Sequence, residues 1–202
     1  MQTIASAALS VQLYTVREAL LADPAVALER LAGLGFTTVE LFGLVDHVDT
    51  YAEFLPRFGL VPASTHAGLI GRDPVPVIQA ARRLGITTVI EPAVSAEVWG
   101  DSDSVVLLAD QFNQLARLAA DEGITLGYHN HWWEFGPLDG ATALEAFADN
   151  LDPAVVLEVD SYWEQGAGAS APEQLARHGV FVRFNQVKDG DISRDDLGQG
   201  AV

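Results

Sequence analysis

Seven polar side chains stand at or just beyond the ends of short β-branched runs: Glu40, His66, Glu91, His129, His131, Asp160 and Gln186. Carboxylates, imidazoles and an amide are the groups that hold a divalent ion and move protons beside it. Their spacing supports a common location. Glu40 to His66, Glu134 to Asp160 and Asp160 to Gln186 are each 26 residues, about one strand-plus-helix unit, so successive groups would point into one mouth. The chain has no cysteine, so a metal here would be held by carboxylates, imidazoles, amides or water, which favours a hard ion such as Mg or Mn. Plainer readings stand beside this one. Glu40, Glu91 and His131 are equally consistent with solvated strand ends or caps for the following helix. Glu158 shares the Asp160 face and takes no assignment from sequence. Trp132 and Trp133 could wall a pocket or fill a gap under a loop, and Lys188 and Asp189 could pair with each other.

The elements that must position these groups alternate β-branched runs with amphipathic helical stretches, the pattern of βαβ units in a parallel sheet. Seven runs are predicted as strands: Leu9–Tyr14, Thr37–Phe42, Val61–His66, Thr87–Glu91, Ile124–Asn130, Val155–Asp160 and Val180–Val187. Pro24–Leu34 and Ser104–Glu122 carry apolar residues at helical spacing. Leu34-Gly35-Phe36-Thr37-Thr38-Val39 returns as Leu84-Gly85-Ile86-Thr87-Thr88-Val89 fifty positions later. In each copy the glycine is predicted to end a helix at a positive φ and hand over to a strand, a device repeated at Gly59 and Gly123. No glycine-rich phosphate loop follows the first strand, so a (β/α)8 barrel is preferred to a doubly wound sheet, with residues 1–202 as a single domain.

Composition excludes several partners. A formal charge of −17 opposes binding to a polyanion, which rests on Lys and Arg, so nucleic acid is not an expected substrate. No apolar run approaches the ~20 residues that span a bilayer, and the start MQTIASAALS lacks a secretory pattern, so no membrane partner and a cytoplasmic location are expected. Ten arginines accompany a single lysine, Lys188.

Four blocks carry a resemblance over essentially the whole chain: Val11-Gln12-Leu13-Tyr14-Thr15-Val16-Arg17, Tyr128-His129-Asn130-His131-Trp132-Trp133-Glu134-Phe135, Leu157-Glu158-Val159-Asp160-Ser161-Tyr162-Trp163 and Gln186-Val187-Lys188-Asp189-Gly190. In order and spacing they resemble the sugar phosphate isomerase/epimerase family of xylose isomerase-like TIM barrels. The resemblance implies one divalent ion, Mn or Mg foremost, with Co or Zn also compatible, held by Glu134 and Asp160. The third ligand position, a histidine of an H-x-K-D motif in that family, holds Gln186 here. The fourth, a glutamate ending strand eight, has no counterpart, because the sequence ends at Leu197-Gly198-Gln199-Gly200-Ala201-Val202. The expectation is therefore a barrel truncated after about seven βα units.

By the same resemblance the chain is expected to be an isomerase or epimerase acting on a sugar, a sugar phosphate or a keto-sugar. A proton would be abstracted next to a carbonyl through a metal-stabilised ene-diolate. Glu134, His129 and Lys188 are the expected catalytic residues, and Tyr14, His66, His131, Trp132 and Trp163 the expected substrate-binding ones. A small-molecule sugar is the expected partner, and a homodimer is a compatible assembly. Two alternatives stay open: a dehydratase of the keto-inositol kind on the same site, and a non-catalytic sugar-binding barrel. The apurinic-site endonuclease branch is disfavoured by the acidic charge and the five histidines.

Overall fold

The computed structural model describes residues 9–170, 177 and 179–188. The chain forms two compact units, one up to Val89 and one from Ile90.

The first unit contains β1 (Ser10–Gln12), α1 (Arg17–Ala22), α2 (Pro24–Gly33), β2 (Thr38–Leu41), α3 (Leu44–Phe58), β3 (Val61–His66) and α4 (Val75–Leu84). Strands β1 and β2 pair in parallel with Gln12 opposite Glu40, and β2 pairs in parallel with β3, with Glu40 opposite Ser64 after a register shift at Val39/Glu40. The first predicted run is shorter than expected. The Gln12 side chain accepts a hydrogen bond from the Tyr14 amide and turns Leu13–Val16 into a 3-10 helix instead of a longer strand. Helix α2 starts on an Asp23 side chain that accepts from the Val26 amide at 3.1 Å, with Pro24 in the first turn, where its missing N–H does no harm.

The predicted helix stops are present. Gly59 (φ 67°) and Gly85 (φ 70°) sit in the left-handed region, and the next amides close back on the helices, Leu60 to Leu55 O at 3.0 Å and Ile86 to Ala81 O at 2.9 Å. Leu55, Leu60, Ala81 and Ile86 are all buried, so each stop also delivers an apolar residue to the core. Strand β4 (Thr88–Glu91) follows the second of them.

The second unit holds α5 (Ser102–Ala120), β5 (Thr125–His129), a hairpin of β6 (Pro137–Leu138) and β7 (Ala141–Thr142), α6 (Ala143–Asp149), β8 (Val156–Asp160), α7 (Ser161–Gly166) and β9 (Val182–Gln186). The β5–β8 and β8–β9 pairings are parallel. The β6–β7 pairing is antiparallel, and its turn has Asp139 (φ 49°) and Gly140 (φ 88°) in succession, as a two-residue hairpin turn requires. Trp99, Phe112, Tyr128 and Phe147 form the core against α5 and α6, with ring centroids 5.2–5.6 Å apart in five pairs. Such pairs add about 0.5–1.5 kcal/mol each beyond their buried area. Close packing also explains Gly127 on β5: a Cβ there would lie 3.1 Å from Val156 Cγ2 and 3.2 Å from its carbonyl oxygen. All seven predicted runs contain a strand. The expected halt before an eighth strand falls on residues outside the described ones. No helix among the described residues is long and apolar enough to cross a membrane.

Candidate functional site

In the second unit, strand register assembles the polar groups. Parallel pairing sets His129 opposite Glu158 and Asp160 opposite Gln186, and the two-residue period puts Glu158 and Asp160 on one face. A register shift at Leu157/Glu158 brings Gln186 within reach of both carboxylates' rows. Glu158 Oε2 accepts a hydrogen bond from Gln186 Nε2 at 3.1 Å and lies 3.1 Å from His129 Nδ1. His129, Glu158 and Asp160 are all buried.

Asp160 is fully enclosed, and its two oxygens have different duties. Oδ1 caps α7, accepting from the amides of Tyr162 (3.0 Å) and Trp163 (3.3 Å). Oδ2 is met by no neutral donor among the described residues. It meets the Lys188 ammonium in an ion pair, with His129 Nε2 3.8 Å away. Asn130 fixes the strand end, its Oδ1 accepting from the Asp160 amide at 2.9 Å.

Glu134 lies on the short 3-10 turn Trp133–Phe135 and is also fully buried. Its Oε1 accepts from the Tyr128 hydroxyl and its Oε2 from the His131 amide at 2.9 Å, while His131 Nδ1 stands 3.8 Å from Oε1. Burial first, and the charge of Glu134 second, push the Tyr128 phenol well above its ordinary range, so it stays a donor to the carboxylate. Indole and imidazole planes surround this turn. His131 stacks on Trp133 (4.3 Å, 6°), Trp132 lies 5.2 Å from Trp163, and Lys188 Nζ is 4.9 Å from the Trp163 ring centroid. Glu164 on α7 is buried with neither carboxylate oxygen hydrogen-bonded among the described residues, and burial raises its carboxyl to about 7.

Of the remaining predicted residues, Glu91 is buried at the end of β4 in the second unit, and the others belong to the first unit. His66 Nε2 is 3.2 Å from Glu40 Oε1, Gln12 Nε2 is 3.2 Å from His66 Nδ1, and the Ser64 hydroxyl donates to Glu40 Oε2. Tyr14 is more than half exposed, edge-on to Phe42 at 5.5 Å and under the Arg17 guanidinium at 4.5 Å.

The second unit thus brings His129 and Gln186 to Glu158, His129 and Lys188 to Asp160, and His131 to Glu134, with Trp132 and Trp163 packed against the His131 ring. Glu158, which sequence left unassigned, is the residue that His129 and Gln186 share. Tyr128 and Asn130 were visible in the sequence only as members of a motif. The Lys188 partner is Asp160, while Asp189 lies outside the described residues. The donor set suits a divalent ion: it offers carboxylate and imidazole groups without thiolate, and the buried Asp160 Oδ2 already faces a cation, the Lys188 ammonium.

Parallel βα units with polar groups at the carboxyl ends of the strands are the arrangement that α/β barrels of the TIM class use for their sites. The sequence pattern of the xylose isomerase-like TIM barrel family matches residues 28–202, and the chain belongs to that family. No curated protein is significantly similar to it in sequence. Among solved structures it is similar to a sugar phosphate isomerase/epimerase from Parabacteroides distasonis, with 23% identity and a TM-score of 0.81 over 94% of this chain and 77% of that one. It is also similar to the probable 3-DHS dehydratase AsbF of Bacillus anthracis, with 13% identity and a TM-score of 0.72 over 93% and 75%. A third is the 3-keto-D-glucoside 4-epimerase YcjR of E. coli, with 16% identity and a TM-score of 0.59 over 80% and 72%. At these identities the likeness is one of fold.

Proposed function

We propose that the chain is a divalent-metal-dependent isomerase or epimerase acting on a small sugar or keto-sugar by proton transfer next to a carbonyl. The observation that carries this reading is the fully buried Glu134 carboxylate, oriented by Tyr128 and the His131 amide, in a unit whose strand ends also present Asp160, His129 and Lys188. Glu134, Asp160 and Gln186 would hold the ion, which when bound supplies Lewis-acid polarisation of adjacent carbonyl and hydroxyl oxygens. Glu134 is the proposed base. Two donors fix its carboxylate, so its direction is set before substrate arrives. His129 and Lys188 place a donor and a positive charge where an oxyanion would develop. Trp132, Trp163 and the His131–Trp133 stack offer flat apolar faces against which the C–H surface of a sugar ring packs, and they exclude water from the carboxylates.

Titration calorimetry with Mn²⁺ and Mg²⁺ and elemental analysis test the metal, with Asp160→Ala as control. Stoichiometric binding lost in the control is expected, and no binding by the unaltered chain would overturn the metal-dependent reading. The likeness in fold to a probable dehydratase supports a second reading, in which proton abstraction is followed by loss of water. Product analysis on a keto-sugar separates the two, since a dehydratase yields a product 18 mass units lighter, as loss of one water requires.

A further inference from the structure

Lys188, the single lysine of the chain, follows β9 and turns its ammonium onto Asp160 Oδ2. The other oxygen of Asp160 is committed to the first turn of α7, so Oδ2 is the atom with which this carboxylate meets a cation. A carboxylate with no exposure is strongly disfavoured unless a positive charge accompanies it, and here Lys188 supplies that charge. The lysine is less firmly held than its partner. Its side chain is one-third exposed, it stands just past the end of β9, and its ammonium lies above Trp163 at 4.9 Å. A compact ammonium on a flexible four-carbon stem can leave the carboxylate while staying above the indole. A divalent ion cannot share Oδ2 with it without strong repulsion between like charges at contact distance.

We propose that Lys188 is an internal counter-ion for Asp160: it neutralises the buried carboxylate in the metal-free protein and is displaced when a divalent ion binds. The inference rests on the metal reading above and adds a consequence of its own. Removing the ammonium should strengthen metal binding while weakening the metal-free fold, the reverse of what a lysine that helps to hold the ion would show.

The test is calorimetric titration of Mn²⁺ into the unaltered chain, Lys188→Met, Lys188→Arg and Asp160→Asn, with thermal melting of each in the absence and presence of excess Mn²⁺. K188M is expected to bind Mn²⁺ at least tenfold more tightly than the unaltered chain. It should melt lower without metal and gain more from Mn²⁺. K188R keeps a cation on Oδ2 and is expected to bind no more tightly than the unaltered chain. Binding by the unaltered chain with equal or weaker binding by K188M would overturn the inference and leave the metal reading standing. Absence of binding in every protein would overturn both. If K188M failed to fold without metal but folded with Mn²⁺, while the unaltered chain folded without it, the inference would be supported.

Discussion

Glu164→Gln removes a carboxyl group of α7 that is buried with no hydrogen-bond partner for either oxygen among the described residues. Its carboxyl titrates at about 7 in the folded chain against an ordinary 4.5, because burial disfavours the charged form. The folded-state value is raised, so the native chain holds this proton to higher pH than the unfolded chain does. Its ionisation therefore lowers stability progressively as pH rises from 4.5, and the loss is complete above about 7. A rise from 4.5 to about 7 corresponds to about 3 kcal/mol at full development. Between pH 5 and pH 8 the unaltered chain should lose about 2.5 kcal/mol relative to the Gln variant. Urea unfolding of both proteins across that range measures the difference directly, because every other titrating group is common to the two. A constant difference between the two stability curves from pH 5 to 8 would refute the assignment of a buried, protonated Glu164.

Tyr128→Phe deletes the hydroxyl that Glu134 Oε1 accepts from, and a bond to a buried charged group is worth about 1.5–3 kcal/mol; the loss should be read by urea unfolding at pH 7.5 and accompanied by reduced turnover. Gly127→Ala forces a methyl to 3.1–3.3 Å from Val156 and Ile90, so a destabilisation of about 1–3 kcal/mol is expected in the same assay. Thr142→Ala removes half of the capping box that Thr142 and Glu145 form at the start of α6, and thermal melting should register about 0.5–2 kcal/mol.

Sequence made the strand–helix alternation legible because each unit repeats one device, an amphipathic helix stopped by glycine and followed by a β-branched run. Leu34-Gly35-Phe36 and Leu84-Gly85-Ile86 both close this way, with the amide after the glycine bonded back to Leu31 O or Ala81 O. The β6–β7 hairpin escaped because strands of two residues have no periodicity to read, although the Asp139-Gly140 pair that turns it was a usable signal. Leu13 and Tyr14 read as the end of a strand by composition, and a single hydrogen bond from the Tyr14 amide to the Gln12 side chain decides otherwise. The candidate site divides in the same manner. Spacing brought out Glu134, Asp160 and Gln186, and Lys188 entered as the single lysine and through the resemblance, but the meeting of Gln186 with Glu158 depends on a β8–β9 register with a shift between Leu157 and Glu158 that leaves no mark in the sequence. Glu158 is the result: a carboxylate with no motif role in the sequence is the meeting point of His129 and Gln186.

Proton transfer at a carbon next to a carbonyl is the central claim, and solvent-deuterium exchange tests it most directly. The chain is incubated with Mn²⁺ and a panel of keto-sugars in D₂O, beside Glu134→Gln, and deuterium at that carbon is followed by NMR. The account predicts exchange with at least one sugar and its loss in E134Q. Exchange with none of the sugars that bind, or exchange undiminished in E134Q, would contradict it.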